Sequence, residues 1–463
     1  MFQVVGGWGL VLRNAQLVKQ GCLLGVICAC VLAAEHVVAQ GGADALRFWP
    51  AWRGPLGTGV SPEGKPPVDW SESHNVKWKI PLPGTGSGSP VVWQDRVFVL
   101  AAIPTEEEAS SRPGFFARLR QRFMQGVSAT HVQRFVVLAL DRQDGGIIWE
   151  RVAEEVAPHQ GTHETNTWSS PSAVTDGDVI CAFFGSVGIF CYDLDGRLLW
   201  ETDLGDMQTK MSFGEGASPA LYRDLLIVPW DHEGDSFLAA FGKRTGRERW
   251  RTPRDEKTSW SSPLVVESEE GAQVVTTATG AVRAYDVETG RLRWWDEGLT
   301  ENAIPSPVAA GGMVFVTSGY RGSRLAAIDF MQAEGDISGS QAVVWSVNRD
   351  TPYVPSPVLH EGLLYVLKGN SGMLSSFDAL TGFRHYGPER LPDVRNVYAS
   401  PVAAAGRLYI TGRNGATAVV RAGQTFEVMS TNTLEDGFDA SPAIVEGEIF
   451  LRGQRFLYCI AES

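Results

Sequence analysis

Methionine is scarce in this chain, at 8 of 463 residues, and histidine is equally rare. Cysteine numbers 6, and three of these (Cys22, Cys28 and Cys30) lie in one N-terminal apolar stretch, which leaves Cys181, Cys191 and Cys459. No CxxC or CxxH spacing indicates a zinc or haem site. Basic residues are outnumbered: 40 Lys+Arg against 53 Asp+Glu give a formal net charge of −13. The positive footprint of a general nucleic-acid binder is therefore missing. With 44% hydrophobic and 20% charged residues, the composition argues against disorder, coiled coil and a multi-span membrane protein. No G-x-S-x-G, H-E-x-x-H or phosphate-loop pattern occurs, and no pair of carboxylates stands out for hydrolysis. What is abundant is glycine, at 51, and tryptophan, at 15. Many turns together with many large flat side chains imply many short strands with rings buried between them.

The N-terminus reads as an export signal. Arg13 and Lys19 precede an uncharged apolar run from Gly21 to Ala34, and Val37-Val38-Ala39 offers modest side chains for cleavage. As a helix the run spans about 21 Å, short for a membrane crossing. Ile27-Cys28-Ala29-Cys30 loosely resembles a lipobox, so lipidation of Cys30 stays open, as does a peripheral membrane association. Residues 1–39 are read as signal peptide, 40–74 as an N-terminal extension and 75–463 as the folded unit, exported to the periplasm or cell envelope.

Self-similarity organises that unit. Ser-Pro followed by small or β-branched residues recurs at Ser89, Ser170, Ser218, Ser262, Ser306, Ser356, Ser400 and Ser441, with spacings of 81, 48, 44, 44, 50, 44 and 41. After most copies come three short apolar strands, a turn of the form D-x-x-T-G, and a fourth strand bearing an aromatic. Asp286–Gly290 leading to Trp294 shows it in full. Trp149, Trp200, Trp250, Trp345 and Tyr386 hold the same position in other units, and Phe426 is the expected counterpart in the seventh. The turn Asp accepts bonds from amides two or three residues on, and the Gly supplies positive φ. A tryptophan on an outer strand suits the seam between sheets, where its N–H still needs a partner. Four strands in about 44 residues, repeated eight times, predict an all-β, eight-bladed β-propeller of antiparallel blades. The last unit, from Ser441, supplies only three strands. Asn75–Leu82, with Trp78 at the seam position, is predicted to complete it and so remove two exposed edges. The preceding Phe48–Trp70 is expected to pack across the outside.

An insertion between about Ile103 and Gln133 lengthens the first unit. Phe115, Leu119 and Phe123 recur every four residues within it, consistent with a short amphipathic helix, either a docking element or folded onto its own blade. Cys181 and Cys191 flank a predicted hairpin turn at Gly185–Gly188, and the register decides whether they can bridge.

The D-x-x-T-G-x-x-x-W turns and Ser-Pro strand starts resemble the PQQ-like β-propeller repeat family, over roughly Asn75 to Ser463. That family includes quinoprotein alcohol dehydrogenases and the outer-membrane assembly lipoprotein BamB. A quinoprotein reading implies PQQ, calcium, a catalytic Asp and a vicinal disulfide, and this chain has no Cys-Cys pair. A BamB-like reading implies a monomeric, non-catalytic scaffold without cofactor, binding an envelope protein or a small polar ligand. No catalytic, cofactor or metal residue is assigned. His159, His163 and Glu164, like Asp231-His232-Glu233, are read as surface chemistry and not as metal ligands.

In such a ring, the loops leading into the inner strands and those joining second to third strands share the mouth of a central funnel. The candidate ligand-binding residues there are His163, Asn166, Trp168, Lys210, Glu215, Lys257, Trp260, Asn302, Arg321, Arg349, Arg395, Asn396 and Asp436.

Overall fold

The computed structural model describes residues 43–109 and 126–462. The expected signal peptide, Cys30 and the proposed amphipathic helix around Phe115–Phe123 lie outside the described residues. Apart from three short 3-10 turns, every described element is a strand, and no helix among them is long and apolar enough to cross a membrane.

Eight sheets, each built on four antiparallel strands, form the blades of a propeller, and those of blades 4 and 7 each gain a short fifth strand in parallel. The regular pattern is clear in blade 3, whose strands are Ala220–Tyr222, Leu225–Trp230, Ser236–Gly242 and Glu248–Arg254. The innermost strands are short and mostly buried, with exposure confined to their last residues, whereas outer strands alternate. Glu248–Arg254 buries Trp250 and exposes its neighbours, as a half-buried edge strand must. Blade 8 is assembled from both ends of the described chain: Val76–Pro81 pairs antiparallel with Phe456–Ile460, outside Glu448–Arg452 and Ala443–Val445. Closure by an N-terminal strand is therefore as predicted.

A ring of serines runs through all eight blades at the start of the inner strands. The N–H of Ser89 donates to Ser172 Oγ, Ser172 to Ser218, Ser218 to Ser262, Ser262 to Ser306 and Ser306 to Ser356. Ser356 donates to Ser400, Ser400 to Ser441, and Ser441 back to Ser89, all at 2.8 or 2.9 Å. Each serine is buried, so each bond satisfies an amide that would otherwise be stranded. In blade 2 the ring member is Ser172 and not Ser170, because there the serine follows the proline and does not precede it.

The seams follow one rule in five places. Trp78, Trp149, Trp200, Trp250 and Trp345 donate their indole N–H to the carbonyls of Arg142, Leu194, Lys243, Val287 and Ala379. Each acceptor directly follows the first residue of the turn in the next blade. The ring then lies on that turn's glycine: a Cβ on Gly246 would sit 2.5 Å from Trp200, and one on Gly290 2.5 Å from Trp250. Glycine is needed twice over, for positive φ and for the approach of the indole. Asp286 holds its turn by accepting from the Thr289 N–H at 2.9 Å and hydroxyl at 2.7 Å.

Trp294 departs from this rule. Its N–H donates within its own blade to Gln273 Oε1 at 2.7 Å, and the strand Gly335–Asp336 from the long blade 5 loop pairs alongside it. Tyr386 also departs: its hydroxyl is buried without a hydrogen-bond partner, and its ring packs on Phe426. Phe426 is not the blade 7 seam residue, since Ser430 takes that register, opposite Val419. Trp70 from the N-terminal extension stacks on Tyr409 beside that seam, and Ser430 Oγ donates to Val68 O at 2.5 Å.

One other expectation is corrected. Phe48–Ser61 does not wrap the outside but crosses the end of the ring beneath the serines. Trp49 bridges Val92 in blade 1, and Pro50 accepts from Thr175 of blade 2. Arg53 donates to Pro357 O of blade 6 and Pro401 O of blade 7, and Val60–Ser61 pairs with the blade 7 inner strand. The blade 1 insertion is, in its described part, an extension of the sheet: Arg96–Glu108 and His131–Asp141 stay paired as far as Glu108 opposite His131. Cys181 and Cys191 face each other directly across blade 2 and form a disulfide, and Cys459 is free and buried.

Candidate functional site

The loops above the serine ring enclose a cavity of about 620 Å³. Its lower wall is made of Ser172, Ser218, Ser262, Ser400 and Ser441, and its floor is Trp52, whose indole N–H donates to Ser441 Oγ at 3.3 Å. The N-terminal extension thus makes the funnel blind. No local sequence signal marks Trp52, because its position depends on contacts hundreds of residues away.

The upper wall is mostly aromatic. Tyr320 and Tyr353 stack with centroids 5.0 Å apart at 25°. Trp260 is fixed by donating to Gly214 O at 2.7 Å. His163 meets Phe213 edge-on, at 5.0 Å and 90°, and its Nδ1 lies 2.8 Å from the Thr165 hydroxyl. Burial lowers the His163 pKa, so the ring is neutral at pH 7. Asn166 spends its amide N–H groups on Phe213 O and Glu215 O, which ties two loops together. Asn302 Oδ1 accepts from Lys210 Nζ at 2.9 Å.

Of the candidate residues, His163, Asn166, Trp260 and Asn302 line this cavity, and nine do not. Trp168 faces neighbouring smaller pockets, with its N–H on Gln160 O. Lys210 stays at the mouth with Glu301 and Asn302. Glu215 turns sideways to accept the N–H and hydroxyl of Ser186 at 2.8 and 2.5 Å, and burial holds its carboxyl above the ordinary range. Lys257, Arg321, Arg349, Arg395 and Asn396 are exposed, because long side chains on tight loops gain more from hydration than from the cavity. Asp436 caps the turn between the second and third strands of blade 8, accepting from the N–H groups of Arg455 and Phe456 as well as from Gly437 beside it. Tyr320, Tyr353, Tyr398 and Asp439 lie on the same mouth loops in the sequence reading but outside its candidate set, and they line the wall, as do Thr165, Phe213, Ile304 and Val354. Their polar-to-aromatic chemistry was legible, but not their direction.

The donor set bears on the fold family's cofactor. Asp439 is the one carboxylate among the lining residues, and it is engaged by Arg413 Nε at 2.7 Å. No lysine or arginine lines the cavity, and no group of three metal-ligating side chains occurs among the described residues. The disulfide is buried inside the blade 2 sheet. A tricarboxylate quinone with calcium requires cations and several oxygen ligands, so these residues do not fit it.

The sequence matches the profile of the family described as outer membrane protein assembly factor BamB over residues 68–225 and 234–461. The outer membrane protein assembly factor BamB of Bordetella pertussis is 28% identical over 193 residues, a stretch covering 40% of this chain and 43% of that protein. Among solved structures, BamB from Moraxella catarrhalis superposes with a TM-score of 0.53 at 12% identity, covering 78% of this chain and 98% of that one. A europium-containing methanol dehydrogenase superposes at 0.58 with 11% identity, over 92% of this chain and 98% of that one. At such identities, both superpositions establish the fold alone.

Proposed function

This chain belongs to the family described as outer membrane protein assembly factor BamB, and from that premise we propose that it is an exported, non-catalytic propeller that serves outer-membrane assembly by holding another envelope protein. One observation carries the choice against a quinone-dependent dehydrogenase: the funnel that would hold the cofactor is blind, lined by neutral aromatics and serines, and its one carboxylate is ion-paired. A rigid ring of eight blades with long exposed loops needs no reacting group to act as a docking platform.

Two measurements test this reading. Crosslinking in intact envelopes, followed by purification of the tagged chain, is expected to capture a component of the outer-membrane assembly apparatus. Adding PQQ and calcium to the purified protein is expected to give no dye-linked oxidation of alcohols or glucose. Robust quinone-dependent turnover would overturn the proposal.

A further inference from the structure

Three arginines are buried among the described residues, and they are not alike. Arg254, 8% exposed, forms a two-pronged pair with Asp231 at 2.8 and 2.9 Å. Arg53, 4% exposed, has no carboxylate but donates to three main-chain carbonyls, those of Thr58, Pro357 and Pro401. Arg452, 2% exposed, donates to Gly88 O at 3.1 Å, and its Nε has no partner. Burial lowers its pKa to about 10, with no acid opposing the shift. A buried guanidinium without an anion is costly, and folded proteins ordinarily supply one.

Arg452 differs from Arg53 in another respect: it forms part of the wall of a chamber. This cavity, about 340 Å³, lies between blade 8 and the loops leading into blades 1 and 2, beside the funnel. That volume falls within the roughly 300–1,000 Å³ of small-molecule sites. Thr85, Ser87 and Gln454 share the wall. Gly86 makes the room, since a Cβ there would stand 2.1 Å from Arg452 Nη2 and push the guanidinium aside.

We propose that this chamber is a binding site for a carboxylate group, whose negative charge pairs with Arg452. The charge balance selects a single negative charge over a phosphate dianion. The second cation of the chamber, Arg413, is already neutralised by Asp439, and Glu164 stands exposed at the rim. The carboxylate belongs either to a small free acid or to the C-terminus of a peptide. The assignment does not rest on the assembly role proposed above.

The test is calorimetric titration of the full chain with butyrate, butyramide, and N-acetylated tetra-alanine carrying a free or an amidated C-terminus. At least one acid is expected to bind saturably and both amides to fail. Whichever acid binds more tightly identifies the source. Arg452→Gln is expected to weaken acid binding by about tenfold or more. The ligand-free melting temperature of Arg452→Met is expected not to fall, since the substitution removes an unpaired charge. Absence of saturable binding by either acid, equal binding of the amides, or undiminished binding to Arg452→Gln would overturn the assignment. So would a destabilised Arg452→Met, which would mark Arg452 as a clamp on Gly88.

Discussion

The seam between blades 2 and 3 and the seam between blades 7 and 8 solve the same problem with different parts. In the first, Trp200 lies on Gly246 and donates to Lys243 O, and everything required sits within one repeat and the next. In the second, the seam position is Ser430, and bulk comes from Trp70, more than 300 residues away along the chain. The repeat encodes nearest-neighbour contacts, as in other arrays of stacked units. Closing a ring, however, requires one contact that no repeat can encode. Here the stretch from Phe48 to Pro81 supplies it, first as a floor, then as seam filler, and finally as the fourth strand of blade 8.

The largest expected effect comes from removing that stretch. A chain beginning at Leu82 loses the outer strand of blade 8, Trp70 and the floor, and should lose its cooperative thermal transition and aggregate. A monomer melting like the full chain would make the two kinds of seam equivalent. Next, Trp200→Ala should cost about 3–5 kcal/mol by chemical denaturation, the range for a buried aromatic. Phe426→Ala, at a half-buried ring, should cost clearly less. Equal losses would place Phe426 among the seam residues after all. Ser306→Ala removes the acceptor of the Ser262 N–H, leaves a buried amide unpaired, and should cost about 1–3 kcal/mol. The same change at Ser170, outside the ring, should cost less.

The smallest effect concerns pH at the seam of blades 8 and 1. The bond from Arg142 to Glu446, at 2.8 Å, holds the Glu446 carboxyl below the ordinary range. A depressed acid contributes stability above its unfolded pKa of about 4.3 and loses it as pH falls through the lower folded value. With half of its side chain exposed, the contribution should be no more than a few tenths of a kcal/mol. Glu446→Gln should therefore flatten stability below about pH 4.3 in acid titrations followed by circular dichroism.

The aromatic positions were legible because most seam tryptophans are marked by their neighbours in sequence: a turn residue, usually Asp, then a glycine, three residues and the ring. Trp294 and Tyr386 carry the same mark, yet neither donates across a seam, and each fails for an identifiable reason. Trp294 meets a blade whose turn has been replaced by a long loop. Tyr386 has a hydroxyl where the others have an indole N–H, at a different distance from the ring. The funnel was harder. Loop membership told which residues stand near the mouth, but the direction of each side chain follows from backbone turns that composition does not specify. Lys257, Arg349 and Arg395 thus turned to water, whereas Tyr353 and Tyr398 turned inward.

From the amino-acid order alone came the number of blades, the turn chemistry, the seam tryptophans and the strand that closes blade 8, since each depends on contacts within a repeat or on a strand left over at one end. Only the folded ring decided that Ser172 joins the serine circle, that Cys181 opposes Cys191, that Trp52 floors the funnel and that Arg452 lines a chamber with no carboxylate of the described residues paired to it. Those features bring together residues far apart in the chain, or depend on a one-residue choice of register. Short-range patterns carry no energy difference between the alternatives until the ring is closed.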